Sequence, residues 1–100
     1  MDLEKELRRA VDTGKVCFGF KQSEINILKG NGQLVVISNN IPKERGERVE
    51  HIASVSEIPV LKLEKNSLQV GSLCGKPFPV SVLVVLDKGK SKILAAAKKH

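Results

Sequence analysis

The sequence predicts a three-layer α/β/α sandwich around a four-stranded mixed sheet, and three observations predict it. The first is a pair of apolar, β-branched runs, at 34–37 and 80–86, that do not alternate with polar residues. Such runs suit strands buried on both faces, as in a mostly parallel sheet with helices on either side. The second is the set of amphipathic segments between the runs, and the third is the Gly, Asn and Pro punctuation that separates them. Together they give the order α-β-α-β-α-β-α-β-α, in a single domain over 1–100.

The first helix is expected over 2–12. Leu3, Leu7, Ala10 and Val11 recur at helical spacing, Asp2 can cap the start, and Gly14 stops it. A strand over 16–18 turns at Gly19 into a helix opening near Gln22, with Ile25, Leu28 and Ile27 inward. That helix ends at Lys29-Gly30-Asn31-Gly32. The strand at 34–37 is broken by Ser38-Asn39-Asn40-Ile41-Pro42. A helix over 43–56 follows, with Val49, Ile52, Ala53 and Val55 as its apolar set. A third strand at 60–63 leads to a short helix opened by Asn66-Ser67-Leu68-Gln69, a capping box. The loop 71–79, stiffened by Pro77 and Pro79, feeds the fourth strand at 80–86. A turn at 87–90 and a last helix capped by Ser91 complete the chain.

Apolar residues make up 41% of the 100, enough for one core, but Trp and Tyr are absent and that core is aliphatic. The formal net charge is +6 and the pI near 9.6, which suits a polyanionic partner and equally a protein that is simply basic. Residues 1–50 hold nine Lys/Arg against eight Asp/Glu, or +1, and residues 51–100 eight against three, or +5. Cys17 and Cys74 have no CxxC spacing and read as small hydrophobes. With only His51 and His100 beside them, no zinc site and no cofactor is expected. No apolar run reaches 18 residues and no signal peptide opens the chain, so a soluble cytoplasmic protein without membrane contact is expected.

Ligands of open α/β sheets gather outside the carboxyl ends of the strands. The loops after the first two strands qualify, and if the fourth strand runs antiparallel its entry loop joins them. One edge then collects Gly19, Phe20, Lys21, Gln22, Asn39, Asn40, Lys43, Lys76 and Phe78. The helix start after Gly19, with Lys21 and Lys43, can meet phosphates. Gln22, Asn39 and Asn40 offer donors and acceptors suited to base edges. Phe20 and Phe78, two of three aromatics, fall in expected loops and can stack on bases. Phe78 is equally explained as a plug for the sheet end, and Phe20 as a lid over its own helix. No Ser/His/Asp or Cys/His order and no paired carboxylates fall in these loops, and no Walker loop is present. An enzyme is not expected.

The segments Asp12-Thr13-Gly14-Lys15-Val16, Gly19-Phe20-Lys21, Leu34-Val-Val-Ile-Ser-Asn-Asn-Ile-Pro and Gly71-Ser-Leu-Cys-Gly-Lys-Pro-Phe carry a resemblance over nearly the whole chain. In order and spacing they resemble the e-type thirty family of large-subunit ribosomal proteins, within the kink-turn-binding superfamily of ribosomal proteins. The resemblance implies a ribosomal constituent that binds a kink-turn: an RNA helix, an internal loop with sheared G·A pairs, and a second helix. By position, Gly19 and Lys21 would face the RNA at the second helix's start, and Asn40 would contact the bulged strand. Phe78, Val80 and Ser81 would form the apolar loop against flipped or stacked bases. The Asn-Glu pair of the broader group is absent after Gly19, which favours the ribosomal branch.

The resemblance further implies ribosomal RNA and neighbouring ribosomal proteins as partners, a place in the ribosome, and a monomer when free. Two other readings stand beside it. One is a free-standing kink-turn binder outside the ribosome. The other is a protein-interaction module that presents Lys88, Lys90, Lys92, Lys98 and Lys99 to an acidic partner.

Overall fold

In a computed structural model, described over residues 2–98, nine elements follow the expected order. They are α1 (Leu3–Thr13), β1 (Lys15–Phe18), α2 (Phe20–Leu28), β2 (Leu34–Ile37), α3 (Lys43–Val55), β3 (Val60–Lys62), α4 (Ser67–Leu73), β4 (Val82–Asp87) and α5 (Ile93–Lys98). Lys99, proposed above as part of a basic face, and His100 lie outside the described residues.

The four strands form one sheet in the order β1-β4-β2-β3. β4 lies between β1 and β2 and runs antiparallel to both, while β3 pairs parallel with β2 at the edge. The chain therefore leaves β1 and β2 at the same edge where it enters β4. That meets the condition on which the three loops share one edge.

The two central strands show why their sequences do not alternate. Leu34 and Val36 of β2, with Leu83 and Val85 of β4, pack on Leu7, Ala10, Val70 and Ile93 from α1, α4 and α5. Their neighbours Val35, Ile37, Val82 and Val84 pack on Ile27, Val49, Ile52 and Ala53 from α2 and α3. Over 34–37 and 82–85 each strand side chain meets a helix layer whichever way it points, so every one of these positions is apolar, and β4 turns polar only at its exposed end, Asp87. At roughly 1.5–3 kcal/mol for each fully buried aliphatic side chain, these two clusters supply most of what orders the chain.

Four expectations are corrected. α2 begins at Phe20, not Gln22, because Gly19 at φ 94° turns the chain straight out of β1. β4 begins at Val82, not Val80, because the Val80 N–H donates to the Ser67 carbonyl at 2.9 Å rather than to a neighbouring strand. Ile25 and Leu28 point outward, Leu28 with 58% of its surface exposed. The inward stripe of α2 is instead Phe20, Ser23 and Ile27, spaced three and four apart. Val55 is likewise exposed, because it falls off the stripe that Val49, Ile52 and Ala53 define on α3.

Candidate nucleic-acid interface

Three main-chain hydrogen bonds assemble the site. Gly19 N–H donates to the Val82 carbonyl at 3.0 Å, and Ser38 N–H donates to the Ser81 carbonyl at 2.9 Å. The β1–α2 turn and the β2–α3 loop are thus fastened to adjacent residues at the mouth of β4. The third, Val80 N–H to Ser67, ties the same mouth to the first turn of α4. Gly19 has φ 94°, a conformation L side chains rarely adopt, and a Cβ built there meets nothing within 4 Å. The requirement for glycine is conformational, and the space above it is open.

Helix ends divide into two kinds. α1 is capped by the Asp2 carboxylate, which accepts from the Glu4 and Lys5 amides, and α4 by the reciprocal Asn66–Gln69 pair. α2 and α3 open on Gly19 and Pro42, neither of which provides a side-chain cap. The first intrahelical N–H bonds there come from Ser23 and Gly46, which leaves the amides of Phe20, Lys21 and Gln22 in α2 without an intrahelical partner. The same holds for Lys43, Glu44 and Arg45 in α3. Lys21, Lys43 and Arg45 stand in these first turns, where the helix dipole disfavours cations by a few tenths of a kcal/mol to about 1 kcal/mol. The ion pairs among the described residues use none of the three. Uncapped amides and cations outside any of these ion pairs at one edge are the chemistry that suits an anion.

The expected site residues separate into three groups. Gly19, Lys21, Gln22, Asn39, Lys43 and Phe78 are exposed around this edge. Phe78 keeps 47% of its surface accessible, the most open of the three aromatics. Lys76 is half-buried, with its ammonium 4.9 Å from the centre of the Phe18 ring, and Ser81 is half-buried at the mouth of β4.

The remaining residues behave differently from expectation. Phe20 is no loop residue: it is half-buried in the α2–α3 core, and the Arg45 guanidinium covers its ring at 5.2 Å. It is the lid over its own helix. Val80 is 2% exposed and packed in the other core layer, so its side chain does not belong to the surface. Asn40 is exposed at the edge, but its acceptor is taken up by the chain itself. Its Oδ1 accepts from the Ser67 N–H at 2.8 Å and from the Ser38 hydroxyl at 2.9 Å, while its Nδ2 reaches Ser67 Oγ at 3.4 Å.

Several residues of the site were not read from the sequence. Arg45 is brought to it only by the side-by-side packing of α2 and α3, which Arg48–Glu24 at 3.0 Å extends. Leu68 is highly exposed beside Ser67, within a capping box that gives its sequence no other signal. Gly71 lies under the Phe78 loop: a Cβ there would meet the Phe78 carbonyl oxygen at 2.1 Å. Beneath the same loop, burial pushes the Cys74 thiol up from 9.0 to about 11, with Arg8 and Lys76 pulling the other way.

A profile of the Ribosomal protein L7Ae/L30e/S12e/Gadd45 family matches residues 1–95. The large ribosomal subunit protein eL30 of Methanocaldococcus jannaschii is 48% identical over 99 residues, covering 99% of this chain and 90% of that protein. The protein of the same name from Methanothermobacter thermautotrophicus is 46% identical over 94 residues, covering 94% and 96%. A solved structure of a Bacillus halodurans protein of unknown function overlays with a TM-score of 0.84 at 22% identity, covering 99% of this chain and 98% of that one, and supports the fold. With a profile spanning nearly all of it and relatives this similar along their lengths, the chain belongs to the ribosomal protein L7Ae/L30e/S12e/Gadd45 family.

Proposed function

We propose that this protein is a structural constituent of the large ribosomal subunit in the cytoplasm, not an enzyme, and that it grips a kink-turn of ribosomal RNA through the three loops at one edge of its sheet. One observation carries the proposal. The two helix N-termini at that edge are uncapped and carry Lys21 in α2 and Lys43 and Arg45 about Glu44 in α3, although α1 and α4 are capped. A cap missing twice at one place, with lysines beside both gaps, is accounted for by a phosphate backbone that receives the amides and the cations together.

The roles divide by geometry. Gly19, the α2 amides, Lys21 and Gln22 would hold one strand of the kink, and Asn39 with Lys43 and the α3 amides the other. Phe78, with Leu68 one turn from Gly71, would lie flat against an unstacked base. Lys76 and Ser81 would flank that ring. Asn40 has one N–H left over from Ser67 and would donate it to the bulged strand, while its main task is to hold the two loops in register.

Gel shifts with a kink-turn RNA test the proposal. Lys21→Ala should weaken binding by roughly 1.5–3 kcal/mol if the lysine is desolvated on a phosphate. If Lys21→Ala and Phe78→Ala both bind as tightly as the parent, the assigned surface is wrong. Crosslinking in cells should recover large-subunit ribosomal RNA.

A further inference from the structure

We propose that the free edge of β3 is a docking site for a basic, extended segment of a neighbouring protein, which adds to the sheet as a fifth strand. The proposal goes beyond the RNA edge and rests on the opposite partner chemistry.

The pairing of β3 sets which groups are available. Val35 N–H donates to the Pro59 carbonyl at 2.9 Å and Leu63 N–H to the Ile37 carbonyl at 3.0 Å, with Val35 opposite Val60 and Val36 opposite Leu61. In a parallel ladder this register turns the N–H and C=O of Leu61 towards β2. Those of Val60 and Lys62 point away from the sheet. Among the described residues no hydrogen bond reaches them. An edge of this kind is a template for another chain.

The surroundings are shaped for a strand and carry the opposite charge from the rest of the protein. A groove of about 600 Å³ runs along the α3 side of β3 and contains Glu47, Glu50 and Glu64. A second, of about 880 Å³, runs along its α1 side and adds Asp2 and Glu4. Five of the chain's eleven carboxylates therefore flank a strand of three residues, against Lys43, Lys62 and Lys65. Two pairs cancel within this set, Lys62 with Glu50 at 2.9 Å and Lys65 with Glu4 at 3.5 Å, which leaves Glu47, Glu64 and the α1 cap Asp2 against Lys43. Glu47 and Glu64 have no ion pair among the described residues. The first groove's loop end, at Asn39 and Lys43, is shared with the RNA edge; away from it, in a protein of net charge +6, Glu47 and Glu64 favour lysine and arginine over a phosphate. Main-chain bonds from Val60 and Lys62 would supply affinity, and the carboxylates in both grooves would select alternate basic side chains.

The test uses the RNA-free, isotope-labelled protein and a synthetic peptide of alternating lysine and valine, about eight residues long to match a strand. Without peptide, the Val60 and Lys62 amides should exchange with solvent faster than those of Leu61 and Leu63. With peptide, they should shift and become protected. Lys62→Pro removes an outward N–H while leaving the β2 ladder intact, and should weaken the peptide at least about fivefold. Because a proline can unsettle a short strand, the double substitution Glu47→Lys with Glu64→Lys is the second arm, with a loss on the order of tenfold. Val60 and Lys62 amides already protected in the free protein would mean that the chain's own terminal residues cover the edge, and would overturn the proposal. So would peptide-induced shifts centred on Lys21 and Phe78, or a kink-turn RNA that protects β3. Unchanged peptide affinity in the charge-reversed protein overturns it as well.

Discussion

The side-chain oxygen of Asn40 accepts the main-chain N–H of Ser67 at 2.8 Å, joining residues 27 apart in sequence. Through this bond the loop after β2 also satisfies an amide at the start of α4, the helix that carries the Phe78 loop on Gly71. Asn40→Ala should therefore destabilise the fold by about 1–2 kcal/mol, read from urea denaturation, and weaken RNA binding as well. Asn40→Asp keeps the acceptor, removes the amide hydrogens and adds a negative charge. Its stability should stay near that of the parent while its RNA affinity falls, which separates support of the site from contact with the ligand.

The two exposed-looking aromatics of the sequence should behave in opposite ways. Phe78→Ala removes a half-open ring and should leave the unfolding midpoint almost unchanged, within about 0.5 kcal/mol. Its RNA affinity should fall by on the order of 1–3 kcal/mol. Phe20→Ala opens the α2–α3 core under Arg45 and should cost roughly 2 kcal/mol of stability. Paired melts and gel shifts on both variants decide it.

Salt dependence should count the cations at the helix starts. Lys21→Ala and Lys43→Ala are each expected to lower the slope of log affinity against log salt by roughly 0.7–0.9. Neither should alter stability measurably, since both side chains are exposed and neither is in an ion pair among the described residues. An unchanged slope in both variants would remove them from the phosphate contacts.

Gly71→Ala tests the loop's foundation. The new methyl carbon would collide with the Phe78 carbonyl oxygen, which is main chain and has no rotamer to escape into. A loss of about 1–3 kcal/mol is expected, together with weaker RNA binding as the ring is displaced.

Alkaline pH should reveal Cys74. Burial raises its thiol from 9.0 to about 11 in the folded chain, so the folded state holds the proton that the unfolded state releases first. The stability it contributes is complete below pH 9 and is lost as pH rises from there through about 11. Urea midpoints measured across that range should fall less in Cys74→Ala than in the parent.

The layers are legible in the sequence because β2 and residues 82–86 of β4 are apolar throughout, and only burial on both faces demands that. The sequence also placed Lys21, Lys43 and Phe78 at strand ends, where polarity and loop signals agree. Ile25, Leu28 and Val55 lie outside because hydrophobicity alone carries no helix phase. The inward stripe of α2 runs through Ser23, a residue no hydropathy pattern selects. Phe20 reads as a loop residue only while α2 is started two residues late, and Val80 joins the surface only through the family resemblance, since the run 80–86 by itself reads as buried on both faces. Arg45 and the spent acceptor of Asn40 arise from tertiary pairings that no local pattern encodes.

Gly19 and Ser38 are fastened to consecutive carbonyls of a single strand segment, Val82 on one side and Ser81 on the other. The separation of the two helix entrances is therefore copied from the width of the sheet itself, and no side chain has to maintain it. Descendants of such a protein can exchange Lys21, Lys43 or Phe78 one at a time and try new nucleic-acid shapes. The frame that presents those residues passes unchanged from one variant to the next.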